Sequence, residues 1–167
     1  MQFLQFIEEN LRKTSKIAQE SFGKVSGKLK PQDSNQVLTE TDLEIGKYLI
    51  DKIKEEFPNH NIIDEESGVI DKKSSFTWVT DPIDGTSNFA AGVPLYCTII
   101  GLMKDFQPIV GGVVLPHFSE IYLAEQNKGA SCNHKKISVT SEPNLLNTLV
   151  SYGFDGNRKD PLSTKKD

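Results

Sequence analysis

The spacing of apolar residues changes near Pro58, and this change limits the folds open to the chain. Before Pro58 the apolar residues recur at intervals of three, four or seven, in two stripes. The first stripe holds Phe3, Ile7, Leu11, Ala18, Phe22 and Val25, and the second holds Ile45, Leu49, Ile53 and Phe57. This spacing is typical of amphipathic helices. We expect the first helix to weaken at Gly23 and to stop at Pro31, before a polar loop at 31–36. The second should start near Thr39–Thr41 and end at Pro58.

Beyond Pro58 the apolar residues are largely β-branched and aromatic, which is typical of strands. We predict strands at 61–64, 76–80, 95–103, 108–116 and 120–126, and two more at 137–140 and 145–152. Turn residues between the central strands indicate an antiparallel meander. Two helices followed by a run of strands predict an α+β fold, with the helices on one face of a mostly antiparallel sheet. We assign residues 1–153 to one domain and the polar residues 154–167 to a tail or loop.

Composition argues against several functional classes. The chain has 167 residues, with 19 Lys and Arg against 23 Asp and Glu, for a net charge of −4. Nucleic-acid binders usually carry a basic surface instead. No apolar run approaches the roughly 18–20 residues of a membrane-spanning helix, and the first ten residues lack the basic start of a signal peptide. Cys97 and Cys132 imply no disulfide framework. We therefore expect a soluble cytoplasmic protein with neither a nucleic acid nor a membrane as partner.

The strongest candidates for functional residues lie in the segment from Trp78 to Phe89. We expect a strand to end at Asp81, Pro82 to turn the chain, and a helix to begin at 85–87. Asp81 and Asp84 would then converge beside the free N–H groups of a helix start, which suit an anion such as phosphate. Two carboxylates held close together favour a hard divalent cation. The segment therefore points to metal-assisted phosphoryl chemistry.

A purely structural interpretation stays open at this point, because Asp-Pro and Asp-Gly are common in turns and an Asp before a helix is often an N-cap. Upstream, alternation along a strand sends Glu65 and Glu66 to different sides, so one of them could face Asp81. Asp42 lies at the start of the second helix, where Thr41-x-x-Glu44 fits the capping-box pattern. Asp42 is therefore open to both a structural and a functional interpretation.

Three motifs together resemble those of the inositol monophosphatase family in order and spacing. They are Asp-Pro-Ile-Asp-Gly-Thr at 81–86, Glu-Glu-Ser at 65–67 and Leu-Thr-x-Thr-Asp at 38–42. The family consists of magnesium-dependent, lithium-sensitive phosphomonoesterases. The resemblance covers essentially the whole chain and implies the first half of the family's layered fold. It also implies hydrolysis of a phosphate monoester, first of all myo-inositol monophosphate, by a metal-activated water with Mg²⁺ as cofactor.

The resemblance implies a role for each site residue as well. Mg²⁺ would be bound by three carboxylates and one backbone carbonyl, those of Glu65, Asp81, Asp84 and Ile83. The catalytic group, which would orient and activate the water, would comprise Asp42, Glu65 and Thr86. The phosphate would lie on the N–H groups of Gly85 and Thr86. Residues in contact with the substrate would be Glu65, Ile83, Asp84, Gly85 and Thr86. The histidines His60, His117 and His134 show no ligand or triad spacing, and we expect surface or turn positions for them.

Some features depart from the family pattern, and one indicates a particular branch of the family. Asp64 stands where many members carry a small residue, and it should add negative charge near the metals. Ile83 between the two acids is more typical of the inositol monophosphatase branch than of the fructose-bisphosphatase and adenosine-bisphosphate phosphatase relatives. The family's second half carries a Trp-Asp-x-Ala-x-Gly motif that completes the second metal site, and this motif is absent up to Asp167. We therefore regard the C-terminal half as absent and expect the isolated chain to show little or no turnover.

Two alternatives remain at this stage. The same fold could act on fructose-1,6-bisphosphate or on a nucleotide 3′-phosphate, because the residues that choose the substrate's alcohol portion lie largely beyond Asp167. The half-fold could also serve as a non-catalytic binding or interaction protein. A homodimer is a further expectation from the resemblance, although no sequence feature identifies an interface.

Overall fold

The computed structural model describes residues 2–30, 33–141, 146, 148 and 149, with the backbone alone at 30 and 33–36. Its helices are α1 (Phe3–Ser21), α2 (Glu40–Glu56) and the short α3 (Thr86–Ala90). The first five strands are β1 (Lys28–Lys30), β2 (Asp33–Leu38), β3 (Asn61–Asp64), β4 (Gly68–Ile70) and β5 (Phe76–Asp84). The others are β6 (Cys97–Lys104), β7 (Gln107–Leu115), β8 (Glu120–Glu125), β9 (Gly129–Cys132) and β10 (Lys135–Ile137). A 3₁₀ turn at Pro116–Phe118 joins β7 to β8.

Eight of the strands form one mixed sheet in the order β10-β9-β8-β7-β6-β5-β3-β4. All neighbours in it are antiparallel except β3 and β5, which run parallel. Helix α1 packs on β6, β7 and β8, and α2 packs on β3 and β5. Strands β1 and β2 form a separate hairpin. The predicted α+β fold with helices against a mostly antiparallel sheet is therefore confirmed.

The core lies between the two long helices and the sheet. Trp78, Ile100 and Leu102 on the sheet are fully buried beneath Leu11 and Ile45 on the helices. Burying an aliphatic or aromatic side chain of this size stabilises a fold by roughly 1.5–3 kcal/mol. The helical stripes seen in the sequence therefore supply one half of the core, and the alternating strand residues supply the other.

Gly112 on β7 shows how closely α1 approaches the sheet. A Cβ atom at this position would lie 2.8 Å from side-chain carbons of Ile7, Leu11 and Leu123. Any larger residue would force these side chains to shift, because interiors are already close-packed.

The opposite face of the sheet is open. Across β5 to β8 it forms an apolar groove of about 630 Å³, whose lining includes Val79, Ile99, Met103, Val113 and Tyr122. Asp81 and Cys97 lie at one end of this same face, because each alternates with a residue that faces the helices. Within the described residues, no helix is both long and apolar enough to cross a membrane.

Several element boundaries differ from those predicted. Helix α1 ends at Ser21, and Gly23 then adopts a left-handed φ of 70°. The expected polar loop at 31–36 overlaps β2, because pairing with β1 uses backbone groups and does not require apolar side chains. Strand β10 occupies 135–137, whereas residues 138–140 have no regular structure. The predicted strand at 145–152 and the tail at 154–167 lie almost wholly outside the described residues.

His60 lies in the turn after α2, as expected, but its half-buried ring belongs to an aromatic cluster. Its ring stacks on Phe57 and Phe76, at centroid distances of 5.2 and 4.8 Å. The indole N–H of Trp78 donates a hydrogen bond to His60 Nδ1 at 3.1 Å. Burial lowers the pKa of His60 below its usual 6.5. The other two histidines, His117 and His134, are exposed and lie in turns.

His60 Nδ1 can accept the hydrogen bond from Trp78 only while the imidazole ring is neutral. We therefore predict that His60 makes a pH-dependent contribution to stability. Because the folded-state pKa is lowered, this contribution is complete above about pH 6.5 and declines as the pH falls through the folded-state value. The test is urea unfolding of the wild type and of His60→Gln, which lacks the titrating ring. The stability advantage of the wild type should shrink by a few tenths of a kcal/mol between about pH 7 and 5, a fraction of one hydrogen bond. A difference that stays constant over this range contradicts the assignment.

Candidate functional site

The parallel pairing of β3 with β5 brings Glu65 to Asp81. In the ladder Asp64 stands opposite Thr80, and both side chains are 2% exposed on the helix face. Glu65 and Asp81 follow them directly, so their side chains point toward the other face. The Glu65 N–H donates to the Thr80 carbonyl at 3.1 Å, which extends the ladder by one residue. A hydrogen bond joins the side chains of Glu65 and Asp81. Of the two adjacent glutamates, Glu65 therefore faces the aspartate.

A β-bulge brings Asp84 to the same face as Asp81. Asp81 pairs with Ile99 of β6, and Asp84 pairs with Cys97, with a register shift between them. Ile99 and Cys97 are two residues apart and therefore point to one face, so their partners do as well. In a regular strand, two residues three apart would point to opposite faces. The extra residue of the bulge thus sets both carboxylates on one side of the sheet.

The expectation that the strand ends at Asp81 is wrong, and Pro82 shows why. Proline has no N–H for a ladder bond, but the bulge leaves this position without a ladder partner. The Pro82 carbonyl instead accepts a hydrogen bond from the Thr98 hydroxyl at 2.7 Å. The strand can therefore continue through the proline to Asp84 before the chain turns.

The turn after Asp84 is made by Gly85, and α3 begins at Thr86, close to the predicted start. Gly85 has a φ of 88°, in the left-handed region that favours glycine. A Cβ atom there would lie 3.1 Å from the Leu95 carbonyl oxygen. The first N–H groups of a helix have no partner within it. Because α3 has only five residues, an anion here would meet these N–H groups rather than a strong helix dipole.

Asp42 connects α2 to the start of α3. It is 1% exposed, and its Oδ2 accepts hydrogen bonds from the Thr39 N–H, at 2.9 Å, and from the Thr39 hydroxyl. Oδ1 accepts a bond from the Thr86 hydroxyl at 2.9 Å. The capping box of α2 is therefore Thr39 with Asp42, and the expected Thr41-x-x-Glu44 box is wrong because the helix begins at Glu40. Asp42 both caps α2 and reaches the site.

The Thr86 hydroxyl has two acceptors within reach but only one proton to donate. It lies 2.9 Å from Asp42 Oδ1 and 2.8 Å from the Ile83 carbonyl oxygen. Burial raises the pKa of Asp42, while the bonds from Thr39 and Thr86 act in the opposite direction. If a ligand engages the Ile83 carbonyl, the Thr86 proton remains available to Asp42.

Among the clustered acids, Asp81 has a strongly raised pKa. Burial, together with the neighbouring charges of Glu65 and Asp84, raises the pKa of Asp81 to about 8. At neutral pH a proton is therefore held in the Glu65–Asp81 pair. A hard cation could replace this proton, because the carboxylates offer the oxygen ligands that such cations prefer. The site is not a preformed cage, however: among the described residues, no three His, Cys, Asp or Glu groups are placed to hold an ion.

Sequence reasoning missed Cys97 and misplaced Asp64. The Cys97 Sγ lies 3.5 Å from Asp84 Oδ2, and burial with the adjacent Asp84 and Asp81 charges raises the pKa of this thiol to about 12. No sequence signal connects Cys97 to Asp84, because their pairing depends on the bulge. Asp64 lies on the helix face and bonds to Thr80, so its carboxylate is not among the clustered acids.

The raised pKa of Asp81 predicts that the cation-free chain loses stability as the pH rises. The folded state keeps a proton from the ordinary value of 3.8 up to about 8, so this group's contribution declines across that interval. Asp81→Asn should remove the slope and, in EDTA at about pH 8, raise the free energy of unfolding by roughly 1–2 kcal/mol after allowance for solvent screening. Thermal unfolding across this pH range measures both effects.

The exposed turn residue Asp105 provides the matched control. Asp105→Asn should leave the pH slope of the wild type unchanged, since Asp105 lies outside the acid cluster. Equal slopes for the wild type and Asp81→Asn would show that Asp81 is ionised in the folded chain and would overturn this description of the site.

Comparisons with known proteins agree with this geometry. The model of the inositol monophosphatase family matches residues 1–166. The chain is 31% identical, over 167 residues, to a protein of Aquifex aeolicus named fructose-1,6-bisphosphatase/inositol-1-monophosphatase; the match covers 93% of this chain and 63% of that protein. It is 34% identical, over 161 residues, to inositol monophosphatase 3 of Solanum lycopersicum, covering 94% of this chain and 60% of that protein.

Structural comparison also shows similarity to inositol monophosphatases. The structure superimposes on that of an inositol monophosphatase of Thermotoga maritima with a TM-score of 0.79 and 32% identity, covering 84% of this chain and 55% of that one. The chain thus spans less than two thirds of the length of these relatives. Sequence motifs, site geometry and overall fold lead to one conclusion: the chain belongs to the inositol monophosphatase family.

Proposed function

We propose that this chain carries the phosphate-binding and first metal-binding part of a Mg²⁺-dependent phosphate monoester hydrolase. The observation that supports this most is the convergence of Glu65, Asp81 and Asp84 on one sheet face beside the start of α3. Membership of the inositol monophosphatase family supports the reaction class. The alternative of a non-catalytic half-fold has less support, because such a protein has no need to keep buried acids that repel one another.

The carboxylates of Glu65, Asp81 and Asp84 and the carbonyl of Ile83 would hold the cation. Bound Mg²⁺ would supply Lewis acidity toward the phosphoryl group and acidity to a water. Glu65 and Asp81 would release their shared proton as the ion binds, so affinity should increase with pH up to about 8.

The backbone at 85 and 86 would hold the phosphate. The N–H groups of Gly85 and Thr86 lie at the start of α3, where helical N–H groups lack partners within the helix. Gly85 has no side chain, so a phosphate oxygen can approach the backbone closely. The phosphate would thereby lie next to the acid cluster, and its charge would be offset by the same cation.

Thr86 and Asp42 would serve as a proton relay. The Thr86 Oγ1 would accept a hydrogen from the attacking water and pass its own proton to Asp42 Oδ1, 2.9 Å away. Thr39 holds the other Asp42 oxygen through its N–H and hydroxyl groups, which fixes the orientation of the carboxylate. Burial of Asp42 favours the protonated form and so assists this transfer.

For the substrate we propose myo-inositol monophosphate, with inhibition by Li⁺, as the family resemblance implies. A second candidate is fructose-1,6-bisphosphate, because the Aquifex aeolicus relative is named for both activities. Both compounds are phosphate monoesters of polyhydroxylated rings, so the described site would treat their phosphate groups alike. Discrimination between them would depend on contacts with the alcohol portion.

Cation binding tests the proposed site directly. Calorimetric titration of the 167-residue chain with Mn²⁺ or Mg²⁺ should detect binding that strengthens from about pH 6 to 8 as the shared proton becomes easier to displace. Asp81→Asn should weaken the affinity by about tenfold or more, because it replaces a charged carboxylate ligand with a neutral amide. Asp105→Asn should bind as the wild type does. Unchanged affinity in Asp81→Asn would refute the proposed ligand set.

Phosphate binding and turnover give a separate test. Inorganic phosphate should bind in the presence of Mg²⁺ and not in EDTA, as followed by ³¹P NMR line broadening. The purified 167-residue chain should hydrolyse inositol 1-phosphate, fructose-1,6-bisphosphate and a nucleotide 3′-phosphate slowly or not at all. Rapid turnover would disprove the expectation that the site is incomplete. Phosphate binding that is unchanged in EDTA would disprove the proposed role of the cation in holding the phosphate.

A further inference from the structure

We propose that Asp64 is a positioning residue whose buried carboxylate clamps the turn that carries Glu65 onto β5 and so holds Glu65 against Asp81. The consequence for cation binding rests on the proposed function. The clamp itself rests only on contacts in the fold.

Three hydrogen bonds converge on the Asp64 carboxylate. Oδ1 accepts the N–H of Ser67 at 2.9 Å and the N–H of Glu66 at 3.3 Å, and Oδ2 accepts the Thr80 hydroxyl at 2.8 Å. Glu65 is therefore bracketed, because the residue before it and the two residues after it share one carboxylate. Its own N–H is held by the Thr80 carbonyl. A side chain on such a restrained turn has few ways to leave its position.

The clamp joins the two residues that precede the paired acids. Asp64 comes directly before Glu65, and Thr80 comes directly before Asp81. The bond between Asp64 and Thr80 therefore fixes the separation and register of the two strands at the point where the acids emerge. Among the described residues, no Lys or Arg forms an ion pair with Asp64. Hydrogen bonds alone offset the desolvation of this carboxylate.

Helix α2 leaves space for this carboxylate at Gly46. A Cβ atom on Gly46 would lie 3.2 Å from Asp64 Oδ1 and 3.3 Å from Pro82 Cγ. Glycine is a poor residue for a helix interior, and here it makes room for a side chain on the sheet. Asp64 and Gly46 therefore form a matched pair, which accounts for an aspartate where a small residue is the more usual choice in the family.

Two variants of Asp64 separate positioning from charge. Asp64→Asn keeps an acceptor for the two N–H groups and offers its amide to the Thr80 hydroxyl, whereas Asp64→Ala keeps neither. If Asp64 acts by positioning, Asn should retain Mn²⁺ affinity within about threefold and Ala should lose about tenfold or more, the usual cost of removing a supporting group. If it acts by its charge, the two variants should lose affinity equally, and that result would overturn the proposal.

Amide hydrogen exchange tests the clamp without any metal, so its outcome is separable from that of the proposed function. The N–H groups of Ser67 and Glu66 should be protected in the wild type and in Asp64→Asn, and should exchange about tenfold faster in Asp64→Ala. Equal protection in all three proteins would show that the turn does not need the clamp. If the wild type shows this protection but binds no Mn²⁺, the proposed function fails and the clamp stands.

A double-mutant cycle with Gly46 provides the matched control. Gly46→Ala should destabilise the wild type, because the new methyl group meets Asp64. The same change should cost less in Asp64→Ala, where only the contact with Pro82 Cγ remains. Additive effects of the two substitutions would contradict the pairing of Gly46 with Asp64.

Discussion

The register of one pair of parallel strands determines most of this site. Because Asp64 stands opposite Thr80, the residues that follow them emerge side by side on the face away from the helices. A slip of one residue would turn Glu65 or Asp81 toward the helices and separate the acids. The register is itself well determined, since Trp78 and its neighbours on the helix face are buried in the core. The core that stabilises the fold thereby also sets the geometry of the acids.

The bulge in β5 adds the third carboxylate, and the result is a local conflict of charge. Asp81 and Asp84 share a face only because β5 contains one residue more than its partner there. With Glu65 beside them, the cation-free chain must keep a proton on the cluster, as the raised pKa of Asp81 indicates. Natural proteins depart from locally favourable choices mainly at functional sites. Repulsion among these acids is such a departure, and a divalent cation would relieve it.

The sequence predicted the parts of the fold and the site that depend on local residue patterns. It did not predict the parts that depend on contacts between distant segments. The sequence predicted that Asp81 and Asp84 converge, but through a turn at Pro82 and not through the bulge of β5. The helical stripes and the strand at 61–64 follow from spacing and residue type. The continuation of β5 through Pro82 does not, because it depends on pairing with β6. Likewise, the contact of Cys97 with Asp84 and that of Gly46 with Asp64 arise between segments distant in sequence. The roles of the site residues came from the family resemblance, because neither hydrophobic periodicity nor composition assigns a catalytic role to a residue.

Glu65, Asp81 and Asp84 lie on one face of the sheet, and we propose that they share one bound cation. Anomalous diffraction from crystals of the chain soaked in Mn²⁺ tests this most directly, because it locates the metal without assumptions about ligands. We predict an anomalous peak among these three carboxylates, next to the Ile83 carbonyl, with metal–oxygen distances of about 2.0–2.3 Å. A peak elsewhere, or a peak that leaves Glu65 directed away from Asp81, would contradict it.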